Sequence, residues 1–178
     1  MVGSMAFDDL AFPRPVADPN DPSRSDTSFE DVVGGSVTYA SLSASTFAPV
    51  RVVAVVGDDF PEPMLETLRG RGVDTEGIER VPGKTFRWKG RYHDDLVGRD
   101  TLDTQLNVFA DFRPKLPDSY RDTPLVLLGN ILPSLQIEVL DQIERPELVV
   151  ADTMNFWITG ERDTLVQLLA RVDMLVIN

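Results

Sequence analysis

Arg51-Val52-Val53-Ala54-Val55-Val56-Gly57-Asp58-Asp59 is a short β-branched run that halts at a glycine and delivers two aspartates. A strand covered on both faces reads as a continuous apolar run, whereas a strand with one wet face alternates. Four other runs behave like the first: the short strand that precedes Asp8, Leu125 to Leu128 before Gly129-Asn130, Leu148 to Ala151 before Asp152, and Met174 to Ile177 before Asn178. Helical spacing fills the gaps. Phe60, Met64, Leu65 and Leu68 recur at helical intervals, as do Leu135, Val139, Leu140 and Ile143, and then Leu165, Leu168, Leu169 and Val172. Strands alternating with helices predict an α/β fold with a mostly parallel sheet and right-handed crossovers. Ligands of open α/β sheets bind outside the carboxyl ends of the strands, so this row of Asp and Asn residues looks like part of a small-molecule site. The last run ends with the sequence itself and has no helix to cover it, which leads us to expect half of a larger protein.

Composition narrows the function classes. The 178 residues are enough for one domain that buries roughly 70% of its unfolded surface. A net charge of -12 and the lack of a basic stripe count against nucleic acid as a partner. With no cysteine there is neither a disulfide framework nor a thiolate metal site, which suits a reducing compartment. The N-terminal residues lack a signal-peptide pattern and no apolar stretch approaches the ~20 residues of a membrane span. A soluble, cytoplasmic protein without membrane partners is therefore expected.

Two segments depart from the strand-helix rhythm. Residues 13–28 hold four prolines among polar residues and are expected to be a loop or flexible insertion. Phe86, Trp88 and Tyr92 alternate with Arg87, Lys89, Arg91 and His93, and Leu102, Thr104, Leu106 and Val108 alternate with polar residues in the same way. Period 2 predicts two half-exposed strands, read here as a separate antiparallel flap.

Gly83-Lys84-Thr85 is not a phosphate-cradling loop, because Gly77 and Gly83 enclose five residues where that loop needs four, and a strand follows where it needs a helix. No Gly-x-Gly-x-x-Gly follows a strand. The single histidine, His93, reads as a solvated hairpin end beside Asp94 and Asp95. Asp58-Asp59 reads as turn-forming, since adjacent side chains point apart. Gly34-Gly35 ahead of the small-residue stretch from Ser36 to Ala48 suits either a tight turn or a binding loop, where a helix N-terminus offers N–H donors. Asp8 could accept hydrogen bonds from two neighbouring hydroxyls of a polyol or ribose, or serve as a cap or turn residue.

Taken together, Gly3-Ser4-Met5-Ala6-Phe7-Asp8, Gly34-Gly35, Val55-Val56-Gly57-Asp58-Asp59-Phe60 and Arg71-Gly72-Val73-Asp74 resemble the ribokinase-like (phosphofructokinase B) family of carbohydrate and nucleoside kinases. Order and spacing match over essentially the whole chain. The resemblance implies a three-layer α/β/α sandwich with a mostly parallel sheet and a small antiparallel β-lid, the C-terminal half being absent. Residues 1–178 would form one incomplete domain, with lid segments at about 9–33 and 84–110. It further implies that Asp8 grips substrate hydroxyls, that Gly34-Gly35 is the substrate-side di-glycine, and that Asn130 is a substrate-contacting strand-end residue. Asn178 matches the first residue of the family's Asn-x-x-Glu element, which organises magnesium and the nucleotide phosphates, so ATP and Mg2+ are the implied cofactors.

The chain also departs from the family pattern. Tyr39 stands where the first family signature commonly places a sugar-binding Asn, which counts against ribose and typical sugars. The Gly-Ala-Gly-Asp element, carrying the general base and anion hole, is absent and is expected beyond residue 178. The sequence therefore predicts the substrate-binding portion of an ATP-dependent kinase acting on a hydroxyl of a sugar, polyol or nucleoside, inactive as this chain alone. The substrate-binding residues would be Asp8, Gly34, Gly35, Tyr39 and Asn130. The alternatives are a non-catalytic sugar- or nucleoside-binding module and a truncated, inactive fragment of the kinase fold. Phe86, Trp88 and Tyr92 could pack over substrate or across a homodimer formed through the lid.

Overall fold

A computed structural model of the chain describes residues 1–13 and 27–177. Its main sheet contains β3 (Val50–Val56), β4 (Val73–Arg80), β7 (Leu125–Leu128), β8 (Leu148–Asp152) and β9 (Met174–Val176). β3 pairs with β4, and β7–β8–β9 form a second run, all parallel. The two runs are joined by the first residues of the chain. Val2 bridges Val53 on one side and Leu128 on the other, in parallel sense. The Val2 N–H donates to the Leu127 carbonyl (3.0 Å), the Val53 N–H to that of Met1 (2.9 Å), and the Gly129 N–H to that of Val2 (2.7 Å). These few N-terminal residues therefore act as a central strand.

Helices α1 (Ser36–Ala44) and α2 (Glu62–Gly70) cover one face, where Val37, Leu65 and Leu68 pack with Val50, Val52, Ala54 and Val56 of β3. The opposite face carries α3 (Pro133–Leu140) and α5 (Arg162–Leu169), whose Leu135, Val139, Leu165 and Leu168 meet Val126, Leu128, Val149 and Ala151. A short helix, α4 (Asn155–Gly160), precedes α5. Four of the five apolar runs thus mark parallel strands; β4, whose sequence is largely polar, is a further parallel strand outside them, and the first run is changed. The first strand is not a short run ending at Asp8. The chain leaves the main sheet at Gly3-Ser4 and continues as β1 (Ala6–Phe12), with Asp8 well inside it.

β1 belongs to a second, smaller sheet with β2 (Thr27–Gly34), β5 (Phe86–Tyr92) and β6 (Arg99–Gln105), in the order β2-β1-β5-β6. The β1–β2 and β5–β6 pairs are antiparallel and a parallel β1–β5 ladder joins them. The alternating flap is therefore present, but its second strand stops at Gln105. Residues Asn107–Asp111 form a 3-10 turn instead, because Asn107 adopts φ +50° and donates its side-chain N–H to the Thr85 carbonyl (2.9 Å). Most of the expected loop at 13–28 lies outside the described residues, and Thr27 and Ser28 are already in β2. His93 sits in the β5–β6 turn, with Nε2 3.0 Å from Asp100. Among the described residues, no helix is long and apolar enough to cross a membrane.

Leu128 is fully buried between α3 and the central strand. Leu128→Ala is expected to lower unfolding free energy by about 2–5 kcal/mol, whereas Val166→Ala on the exposed side of α5 should change it by less than about 0.5 kcal/mol. Urea unfolding of the two variants checks this.

Candidate functional site

The site begins where the chain passes from one sheet to the other. Gly35 is the N-cap of α1 and adopts φ +94°, a backbone conformation that glycine tolerates and L side chains rarely do. A Cβ there would also lie 2.7 Å from the Met5 Cα. Gly34 is needed for a different reason. It pairs with Ala6 across the β1–β2 ladder, and a Cβ at Gly34 would come within 2.5 Å of the Asp8 carboxyl carbon. The Asp8 carboxylate therefore lies directly over the Gly34 backbone, and the structure brings the two predicted residues together.

Asp8 and Asp9 are neighbours with opposite surroundings. Asp9 accepts from Arg87 (2.6 Å) and from the Asp31 N–H (3.1 Å), while Arg87 also pairs with Asp31. Burial opposes ionisation of Asp9, but these bonds, with Lys89 nearby, outweigh it and hold its carboxyl below the usual range. Asp8 points to the other face of β1. It is half-buried, and no described residue donates a hydrogen bond to its side chain. Burial, then the charge of Asp9, pushes its carboxyl above the usual range. The pairing registers put Trp88 of β5 and Thr104 of β6 beside it in one row. Leu10, Phe12, Phe29 and Tyr92 share that face, with Phe12 stacked on Tyr92 at 5.0 Å and edge-on to Phe29 at 6.0 Å. A carboxylate with free acceptor capacity at the foot of an aromatic sheet face can take two hydroxyl donors from a ligand.

The start of α1, which the di-glycine leaves open between a tight turn and a binding loop, is capped from within the chain. Ser4 caps it: the Ser36 N–H donates to Ser4 Oγ (3.2 Å) and the Val37 N–H to the Ser4 carbonyl (3.2 Å). Tyr39, one turn further, is exposed and donates its hydroxyl to the Val33 carbonyl of β2 (2.6 Å). It links α1 to the small sheet, and its described bond is to protein backbone.

Asn130 lies at the end of β7, and its described contacts are in a separate group from those of Asp8. Its Oδ1 accepts from Trp157 Nε1 of α4 (2.9 Å). Behind it the fully buried Gln136 of α3 donates to the carbonyls of Leu128 (3.2 Å), Gly129 (2.9 Å) and Asp152 (3.0 Å), tying the ends of β7 and β8 together. Asp152, at the end of β8, is pushed above the usual carboxylate range by burial, against a hydrogen bond from the Thr153 N–H. Asp152 was visible as a strand-end residue. Trp157 and Gln136 were not, because they act through tertiary contacts that no local spacing announces. Asn178 lies outside the described residues. The Gly57-Asp58-Asp59 turn, read from sequence as structural, indeed bonds to residues 83–85.

No protein-family model matches the chain. It is 25% identical over its full length to the cytidine kinase of Thermococcus kodakarensis and spans 60% of that protein. Among solved structures it resembles the Methanocaldococcus jannaschii nucleoside kinase, described as an archaeal member of the ribokinase family, with TM-score 0.71 and 16% identity over 99% of this chain and 59% of that one. It also resembles the Burkholderia thailandensis nucleoside kinase solved in complex with inosine, with TM-score 0.74 and 13% identity over 99% and 59% of the two chains. The fold of this chain is therefore that of the ribokinase-like family, spanning about 60% of the length of the relatives it matches, as the order of its motifs implies.

Proposed function

We propose that this chain is the acceptor-binding portion of an ATP-dependent kinase that phosphorylates a hydroxyl of a nucleoside, sugar or polyol, with a nucleoside as the favoured class. The observation that carries it is the half-buried Asp8 carboxylate, seated on the Gly34 backbone and without a hydrogen-bond donor among the described residues. A buried charge of this kind costs free energy unless a partner arrives. Neighbouring ribose hydroxyls are such a partner. The similarity to a cytidine kinase and to nucleoside kinases supports the nucleoside class over a free sugar, as does Tyr39 in place of a sugar-binding Asn.

In this proposal Asp8 holds and orients the acceptor, and the described parts of the segments at about 9–33 and 84–110 act as a lid whose aromatic face excludes water. Asn130, Gly34, Gly35 and Tyr39 complete the acceptor side. Exclusion of water strengthens the Asp8 hydrogen bonds, because the local dielectric falls. The described residues do not by themselves form a site for ATP phosphates or magnesium. Among them no group of three His, Cys, Asp or Glu side chains is arranged to hold a metal, and the Ser36 and Val37 amides are occupied by Ser4. No step is therefore assigned through either, and the chain alone is proposed to bind without turnover. The proposal extends to a homodimer formed through the lid.

Calorimetric titration of the chain with cytidine, inosine and D-ribose tests the acceptor reading. Saturable nucleoside binding is expected, and absence of binding by all three would sink it. Asp8→Asn should weaken nucleoside binding roughly 10- to 150-fold, the equivalent of about 1.5–3 kcal/mol for hydrogen bonds to a charged group. Gly34→Ala should weaken it comparably, because the new methyl displaces the Asp8 carboxylate. The pH dependence has a definite sign. Asp8 accepts two hydroxyls only when ionised, and its carboxyl titrates above the usual range, so affinity should fall as pH is lowered through a midpoint above that of an ordinary aspartate. The same titration on Asp8→Asn should be flat. Phosphoryl transfer from ATP to any of the three ligands by the chain alone would overturn the claim that it binds without turnover. Sedimentation velocity checks the expected dimer.

A further inference from the structure

We infer that Asp59 is a positioning residue: it anchors the β5–β6 hairpin to the main sheet and so sets where Trp88 stands beside Asp8. The inference rests on the proposal that the small sheet covers an acceptor site.

The anchor is a dense set of bonds at one point. One oxygen of Asp59 accepts both the Thr85 N–H (2.8 Å) and the Thr85 hydroxyl (2.7 Å). That hydroxyl in turn accepts the Gly57 N–H (3.0 Å). The Asp58 N–H donates to the Gly83 carbonyl (2.9 Å), and the Gly83 N–H reaches back to Asp58 Oδ2 (3.3 Å). The far end of the hairpin closes on the same segment. Asn107 Nδ2 donates to the Thr85 carbonyl (2.9 Å) and the Val108 N–H to the Lys84 carbonyl (3.1 Å). Thr85 is 1% exposed, whereas every residue of β6 is exposed. The hairpin is therefore fastened at its foot and free along its outer strand.

The consequence reaches Asp8 through register. β5 begins at Phe86, immediately after Thr85, and pairs with β1 in unbroken register from Ala6↔Phe86 to Ala11↔Arg91. Fixing Thr85 fixes Trp88 opposite Asp8. A slip of one residue would bring Arg87 or Lys89 to that position and turn the aromatic face of β5 away. Asp59 is also held ionised: burial opposes this, but the two Thr85 bonds and Lys84 outweigh it. Strong, charge-assisted hydrogen bonds at the foot are what a short, two-sided hairpin needs to keep one register.

Hydrogen exchange of the unliganded 178-residue chain tests the anchor. Asp59→Ala and Thr85→Val should each speed amide exchange in Phe86–Tyr92 and Arg99–Gln105 by ~10-fold. Exchange in Leu125–Leu128 and Leu148–Asp152 should not change. Thr85→Ser, which keeps the hydroxyl, should restore the parent rates in the hairpin. If Asp59→Ala loses the cooperative fold, Thr85→Val and Thr85→Ser still decide the matter. Unchanged hairpin exchange in Thr85→Val, an equal rise in all strands, or a hairpin already unprotected in the parent chain would overturn the inference. The measurement uses no ligand, so its outcome is independent of whether cytidine or inosine binds.

Discussion

Residues Met1 to Gly3 sit between β3 and β7, and the rest of the molecule depends on that insertion. Without the Val2 and Met1 hydrogen bonds to Leu127, Gly129 and Val53, the parallel sheet would be two separate ribbons of two and three strands. Such small pieces are marginal alone. The insertion also fixes the exit point of the chain. Once the central strand has passed Gly3, Ser4 is at the carboxyl edge of the sheet and caps α1 by both its hydroxyl and its carbonyl. β1 then has one direction to go, outward, and Asp8 stands a fixed distance along it. The location of the candidate site is thus a result of sheet topology more than of any local motif.

Asp8 and Asp9 show how one backbone makes two chemically distinct carboxylates. Successive side chains on a strand face opposite ways. Asp9 lands on the face that carries Arg87 and is neutralised there; Asp8 lands on the aromatic face and is not. Native structures satisfy nearly all buried polar groups, so an under-satisfied carboxylate persists where it serves a purpose other than stability. That contrast is why Asp8, not the better-paired Asp9, carries the functional proposal.

The buried parallel strands were legible because strands covered on both faces are continuous apolar runs, and β3, β7 and β8 stand out from their surroundings for that reason. The flap was legible from period 2. The pieces that escaped sequence reasoning share a cause. Residues 1–3 are too few to show any period, yet backbone pairing on both sides makes them a strand. β1 continues past Asp8 because tertiary ladders on both sides hold two consecutive acidic residues in extended form, against their ordinary preference for turns. The alternation at 102–108 reads as one strand, but Asn107 in a left-handed conformation ends it early. Asp8 and Gly34, both candidate site residues from the sequence, do meet in the structure. The capping of α1 by Ser4 could not be read, because the two residues are 32 positions apart.

Asp8 and Asn130 differ in what they can take from a ligand. Trp157 Nε1 can only donate, so its bond to Asn130 fixes the orientation of that side-chain amide and takes up one of the two Oδ1 lone pairs. Asn130 keeps its NH2 donors and a second Oδ1 lone pair, so it can meet either a donor or an acceptor. Ionised Asp8 accepts only, and can meet only donors. Of the two, Asp8 alone restricts the polarity of its partner, so the pairing of that carboxylate, and not of the amide, decides which ligand atoms can lie against the small sheet.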